Sequence, residues 1–459
     1  MRLLKFPTSG TVQQRKSKSY GFYLMSIVAL AGLSGCLQPD HDMAAIQSQV
    51  DGLRLDGIGA SNAPVALGAG YGAALRGAVT RGAGYRAAVA REAASLAAID
   101  VSSAGQKLQA SLNSRLGLIS ESGTGGNRTT SGASGGITLS KLLFDGGASD
   151  AAISRAMARA VAAGADVQIA ANETALAAAQ AWVDLWLADQ RLDLLADRLQ
   201  RLDGSLAQMQ RMAGLGLMDR SALDNLRRQA AALRQEQTQI HSQRTEAAAR
   251  FARYFGAAPE TVATPADIGG RPKADGWKTS PALTRNAADV VMAQAQLAEA
   301  QAAFSPTARA QAGVTAPVKR DETTDTAIGL VMEFTLGDGG RREAQLKAAQ
   351  DGLVAAKAQL ADGRAALQAE FAATWAQLQA IEAAKPDLAE EIRLAAAEAK
   401  TARSQIQTGQ ANLRQLVEAE LAHYRAEDRM ITLQAQAYIV QLTAHAISGD
   451  LARQIGAVK

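Results

Sequence analysis

The sequence predicts a mainly α-helical chain with a small β part, made of one unit, helix, strand, strand, long helix and returning helix, used twice. Three observations carry this expectation: an alanine-rich composition, a repeat at fixed offset, and two helical patterns too long for an ordinary globular domain. The 459 residues include 101 Ala but only 10 Pro, 1 Cys and 4% aromatics. Ala with Leu, Gln, Arg and Glu favours long helices whose axes approach closely, and so few aromatic rings do not fill a bulky core. A single cysteine excludes a disulfide scaffold.

The formal charge of +4 is misleading. Arg2, Lys5, Arg15, Lys16 and Lys18 lie within the first 35 residues, which hold no acid; without them 43 basic residues face 44 acidic ones. A chain so balanced has no basic excess with which to neutralise phosphates, so nucleic acid is not an expected partner.

Those charges precede the apolar run from Tyr20 to Gly35, which is too short for a comfortable membrane span but suits a signal-peptide core. It ends in Leu33-Ser34-Gly35-Cys36, which resembles a bacterial lipobox: Cys36, the one cysteine, is the expected lipidation site and new amino terminus. An ordinary signal peptide with an incidental cysteine is the alternative. Leu37, where the lipoprotein resemblance would place Asp for inner-membrane retention, points to the outer membrane.

The two halves align without a gap from the strands onward. Leu143-Phe144-Asp145-Gly146-Gly147 returns 193 positions later as Leu336-Gly337-Asp338-Gly339-Gly340. At the same offset Gly136 meets Gly329, Trp182 meets Trp375, Gly216 meets Gly409, Leu223 meets Leu416 and Gly256 meets Gly449. Rare Trp and Gly in register over such a length mark an internal duplication.

Each half then reads in the same order. Residues 64–103 and 281–304 have apolar positions at three- and four-residue spacing and lead each half as a helix. Strands are expected at about 106–120 and 134–144, and at 307–318 and 325–336, with polar loops over 121–130 and 320–324. Asp145 and Asp338 stand where a helix N-cap belongs, and the glycine pairs Gly146-Gly147 and Gly339-Gly340 permit the sharp strand-to-helix turn. No Lys-Ser/Thr follows those glycines, so they are not a phosphate-binding loop. Helical patterns run from 148 to 212 and from 341 to 408, each about 95–100 Å if straight. Both break at glycine and return, giving hairpins over 147–256 and 340–449. Pro386 interrupts the second pattern, and a kink or helix change is expected there.

The expected organisation is a signal peptide (1–35), an N-terminal extension (36–63), a first repeat (64–256), a linker (257–280), a second repeat (281–452) and a short tail (453–459). Four strands cannot close a membrane barrel and would leave open edges, so the sheet must be shared. Three copies supply twelve strands, and their helical hairpins would continue the ring as a hollow cylinder about 100 Å long.

At this point the chain resembles the TolC-type outer-membrane efflux and secretion channels over about residues 60–455, and its lipobox points to their OprM/NodT-like lipoprotein branch. The resemblance implies a homotrimer with a 12-stranded outer-membrane β-barrel continued by an α-helical periplasmic tunnel. It also implies a location in the outer membrane, with lipid contact and an extension into the periplasm, and no cofactor or catalysis. Its expected partners are a periplasmic adaptor (membrane fusion) protein and an inner-membrane pump of RND or ABC type. In such channels the helix tips dock the adaptor. Here Gly216, Leu217 and Ser221 match the first tip, with Leu215 in place of Val; Gly409, Asn412 and Leu413 belong to the second. The family's two gate acids fall at Gln415 and Glu418, of which only Glu418 keeps its charge, making it the candidate periplasmic gate ring. Ala411 stands where the family has Arg. An exposed helix carboxylate is the alternative for Glu418, and plain C-cap chemistry for the tip glycines.

No other chemistry stands out. His41, His241, His423 and His445 are dispersed without metal-ligand spacing, and no nucleophile elbow is present. Trp182 and Trp375 read as repeat-related packing residues, and Tyr71, Tyr85 and Phe144 as candidates for a sparse interfacial belt. Within the channel reading, drug or metabolite efflux is preferred over type I protein secretion because of the lipobox. The rival is a periplasmic coiled-coil scaffold lipoprotein that forms no pore.

Overall fold

The computed structural model describes residues 43–55, 65–123, 126–215, 220–317, 324–407 and 413–458. The chain forms two bodies, Met1–Ser61 and Asn62–Lys459. In the first, α1 (Met43–Leu55) is a 13-residue helix with Met43, Ile46, Val50 and Leu53 exposed.

The second body starts with a 3₁₀ turn at Leu67–Ala69, then α2 (Tyr71–Arg81) and α3 (Ala83–Ala104). The single leading helix expected here is therefore two, because Gly82 takes an extended ψ of 123° and breaks the run. Next come β1 (Gln109–Gly123), β2 (Gly126–Phe144), α4 (Ala148–Gly214) and α5 (Arg220–Phe255). After a linker with a 3₁₀ turn at Gly276–Thr279 follow α6 (Pro281–Ala302), β3 (Thr307–Pro317), β4 (Asp325–Glu333), α7 (Arg341–Gln407), α8 (Leu413–Ile447) and the short α9 (Leu451–Gln454). Both α4 and α7 have 67 residues, about 100 Å each.

The strands form one antiparallel sheet in the order β1-β2-β3-β4. The β2–β3 pairing, with Gly136 opposite Thr315, joins the two halves. Most of 121–130, expected as a loop, is strand: Glu121 pairs with Arg128 and Gly123 with Gly126. Gly, Ser and Thr look like loop composition in isolation, and only the cross-strand partner identifies them as strand. The second loop, 320–324, falls outside the described residues except Thr324.

Two of the apolar clusters among the described residues are the most extensive. Around Trp182 pack Tyr71, Leu75, Val79, Ala178, Phe251 and Phe255, with the rings of Tyr71, Phe251 and Phe255 at 5.2–5.5 Å from the indole. The indole Nε1 donates to the Ala263 carbonyl at 2.8 Å. Tyr71 is thus a core residue, with Tyr85 packed against the same cluster, and neither belongs to an interfacial belt. Burial raises the Tyr71 phenol above its ordinary range. Toward the hairpin tips, Leu195, Leu199, Leu202 and Met209 of α4 meet Leu223, Leu226, Leu233 and Ile240 of α5 and Val417 of α8. Their three- and four-residue spacing is that of a coiled-coil seam.

Two further expectations change. Residues 453–458 are not a free tail: Ile455 is buried, its carbonyl accepts from Arg76 Nε at 2.7 Å, and the buried Asn172 accepts from Ala452 N at 3.0 Å. Helix α7 runs without interruption through Pro386, so there is no helix change at that residue.

Candidate functional site

The register of the sheet sorts its residues into two unlike faces, since paired residues share a face and neighbours along a strand alternate. One face carries Gln109, Ser111 and Asn113 of β1, Ser134, Gly136, Thr138 and Ser140 of β2, Arg309, Gln311, Gly313 and Thr315 of β3, and Asp325, Gly329 and Glu333 of β4, with Leu142, Ala327 and Val331 among its apolar members. Asn113 Nδ2 donates to Thr138 Oγ1 across that face at 3.4 Å. The opposite face carries Leu112, Ile137, Leu139, Ala310, Ala312, Val314, Ile328, Leu330 and Met332, with Lys141 and Thr326 among its polar members. Its side chains are open to the surroundings, Leu112 at 80% and Ile328 at 86% exposure. A four-stranded sheet with an unburied apolar face, a polar reverse and two open edges is not the inside of this chain's own core.

The sheet is coupled to the long helices through two matching corners. Gly146 and Gly147 have φ of +65° and +91°, and Gly339 and Gly340 have +69° and +87°, values that side chains of L-residues rarely adopt. Asp145 Oδ1 accepts from Gly147 N at 3.0 Å and Oδ2 from Ser149 N at 2.8 Å; Asp338 makes the same bonds to Gly340 N and Arg342 N, at 3.2 and 3.1 Å. The helix N-cap of α4 is Gly147, so Asp145 does not occupy the N-cap itself; it caps from two residues upstream. Burial alone would raise the Asp145 carboxyl, but the Ser149 hydroxyl and the backbone donors outweigh it and hold it below the usual carboxylate range. Asp338 is likewise held low: desolvation alone would raise it, but the backbone and guanidinium of Arg342 and Gly340 N together outweigh that.

The corners differ in what surrounds them. A Cβ on Gly146 would lie 2.3 Å from Ser305 Cβ, whereas one on Gly339 would meet nothing within 4 Å. In the second corner Arg342, at the position of Ser149, donates to Asp338, Ala303 O and Thr335 O and lies over the Phe304 ring at 5.1 Å.

At the far ends of the hairpins, Gly216, Leu217, Gly409 and Asn412 lie outside the described residues, as does Cys36. Ser221 is exposed in the first turn of α5, and Leu413 is the first residue of α8. Gln415 and Glu418 are exposed on α8, and Glu418 pairs with Arg414 along its own helix at 3.2 Å.

The sequence reading missed a buried charged seam between the hairpins. Arg198 of α4 is 1% exposed; its Nη1 donates to Glu420 Oε2 of α8 and its Nη2 to Val417 O at 3.2 Å. Arg403 of α7 donates to Glu420 Oε1 at 2.8 Å. Two turns farther along, Arg191 holds Asp428 through Nε at 2.6 Å and Nη2 at 3.3 Å, and the Tyr424 hydroxyl donates to Glu236 of α5 at 3.0 Å. Arg191 and Arg198 are seven residues apart on the face of Leu195 and Leu202, and that periodicity was the available signal. No cluster of potential metal ligands occurs among the described residues, which do not include His41. No helix among them is long and apolar enough to cross a membrane, which says nothing of a β-barrel.

No protein-family model matches the sequence, nor does any curated protein. Solved structures do match. The outer membrane protein VceC of Vibrio cholerae superposes with a TM-score of 0.73 at 19% identity, over 82% of this chain and 96% of its own. CusC, described as forming a transmembrane channel, gives 0.72 at 14% identity over 82% and 91%. The MtrE outer membrane channel of Neisseria gonorrhoeae gives 0.69 at 16% over 83% and 89%. The chain has the fold of TolC-type outer-membrane channels.

Proposed function

We propose that the chain is the outer-membrane exit duct of a tripartite export system, a homotrimer whose three sheets close into a 12-stranded barrel continued by an α-helical periplasmic tunnel. The observation that carries this reading is the two-faced sheet, apolar outward and polar inward, joined through capped glycine corners to helices about 100 Å long. The 11 residues of β3 and 9 of β4 suit a tilted span of the hydrocarbon layer. A scaffold that stays in the periplasm has no use for an open apolar sheet face.

In this reading Cys36 carries the lipid anchor. The tips around Gly216, Leu217, Ser221, Gly409, Asn412 and Leu413 meet a periplasmic adaptor linked to an inner-membrane pump, and three copies of Glu418 ring the aperture. The lipobox favours the OprM/NodT-like branch and small-molecule efflux over type I secretion. The duct itself passes cargo without turnover or cofactor.

The deciding experiment is conductance of the detergent-purified mature protein in a planar bilayer, with oligomer mass measured in parallel. Trimers with discrete openings are expected; a monomer without conductance returns the scaffold reading. Mass spectrometry of the amino-terminal peptide tests the anchor, and a Cys36→Ser variant whose acylation mass persists would refute it.

A further inference from the structure

The seam between the hairpins is apolar at Leu195, Leu199, Leu202 and Val417, yet a charge sits among them. Glu420 divides its two oxygens between helices of different hairpins, Oε2 to Arg198 of the first and Oε1 to Arg403 of the second. Arg198 is fully enclosed and its Nε has no hydrogen-bond partner, so its charge depends on Glu420 and the Val417 carbonyl. A guanidinium does not shed its proton, so it cannot adapt to loss of its partner by becoming neutral. An apolar pair would fill this space with no penalty for burying charge. What the ion pair adds is a definite register: carboxylate and guanidinium satisfy one another at one offset of α8 along α4, while aliphatic side chains tolerate several.

We infer that Glu420 is a positioning residue, which sets the spacing and register of the two hairpins at their tip end and thereby the width of the aperture those tips surround. The aperture part rests on the duct reading; the register part does not. The Tyr424–Glu236 and Arg191–Asp428 contacts repeat the tie farther from the tips, so loss of Glu420 frees the tip-proximal stretch of α8 while the rest stays anchored. Glu418, two residues away, lies exposed and paired within its own helix, and contributes nothing to this tie.

The test uses the full-length protein with Glu420→Gln, the apolar double variant Arg198→Met/Glu420→Met, and Glu418→Gln as control, read by hydrogen exchange over residues 413–424 and by closed-level conductance. Glu420→Gln is expected to speed exchange there by roughly tenfold or more and to raise the closed level, because Arg198 is left buried without its counter-charge. The double variant is expected to return both to the parent values, and Glu418→Gln, whose carboxylate pairs only along its own helix, to leave the exchange unchanged. Exchange within twofold of the parent in Glu420→Gln overturns the proposal, as does a double variant as labile as the single one. Faster exchange with unchanged conductance overturns the aperture role alone. A parent protein that never conducts defeats the duct reading, and the exchange data then still decide the register. Should Glu420→Gln fail to fold, Arg403→Gln is read in the same way, with about a threefold change in exchange expected because only the exposed arginine is lost.

Discussion

The two long helices have the same length and common sequence landmarks, but α4 is enclosed and α7 is not. Trp182 on α4 is 2% exposed, held among Tyr71, Phe251 and Phe255 with its Nε1 bonded to Ala263 O. Trp375, its counterpart on α7, is half-buried; it stacks on Phe371 and lies under Arg271 of the linker, which also pairs with Glu382 at 3.2 Å. Duplication supplied two equal helices, and the single chain has neighbours enough to cover only one. One helix holds the chain together, while the other keeps an exposed face, which the proposed trimer would use for contacts between copies.

This comparison can be broken most directly at the tryptophans. Trp182→Ala is expected to cost about 3–5 kcal/mol of stability, the range for removing a large core ring. Trp375→Ala is expected to cost about 1–2 kcal/mol, since it loses partial burial and a cation–π contact. Denaturant unfolding of the detergent-dissociated chain measures both, and equal losses would show that the two halves are energetically alike. The corners give a finer contrast. Gly146→Ala must both strain the backbone and displace Ser305, whereas Gly339→Ala meets open space and pays only for its positive φ, about 1–2 kcal/mol. The thermal midpoint of Gly146→Ala should therefore be the lower of the two; the reverse order would place the tighter corner in the second half.

Removing the cap carboxylate in Asp145→Ala is expected to cost about 1 kcal/mol, and Asp338→Ala is expected to destabilise in the same direction. Both carboxyls are held below their ordinary range, so their stabilisation is complete above the unfolded value of about 3.9 and is lost as the pH falls through the lower folded values. A scan of thermal stability from pH 5 to pH 2 should show the parent losing more than the double Asp→Ala variant. The smallest expected effect is at Glu418→Gln: its pair with Arg414 is exposed and local, so stability should change by no more than about 0.5 kcal/mol.

The periodic features of the fold were legible in the sequence because their physics is local. A helical repeat and an Asp-Gly-Gly corner leave marks on neighbouring residues, and the fixed offset doubles each mark, although the Asp was expected at the N-cap and stands two residues before it. What was hidden depends on partners distant in sequence. Residues 121–130 read as a loop until β1 and β2 were paired, and the alternation of polar and apolar faces became clear only from the register across four strands. Arg198 looked like any solvated arginine of a long helix; its burial follows from Glu420, 222 residues away in sequence. Tyr71 likewise offered no local sign that it would stand against Trp182.

The join between the halves also sets a timetable for synthesis. β2 pairs with β3 across the first helical hairpin and the linker, Gly136 with Thr315, so the ribosome finishes β2 long before its partner exists. At a synthesis rate of about 5–20 residues per second the delay is roughly 10–35 seconds. Throughout it the nascent chain carries an unpaired strand edge and an apolar sheet face, the two features most apt to pair with the wrong molecule. The seam between α4 and α5 is made of local and heptad contacts and can form in that interval, while the contacts of α4 with α6 and α8 and the closing of the sheet wait for the second half.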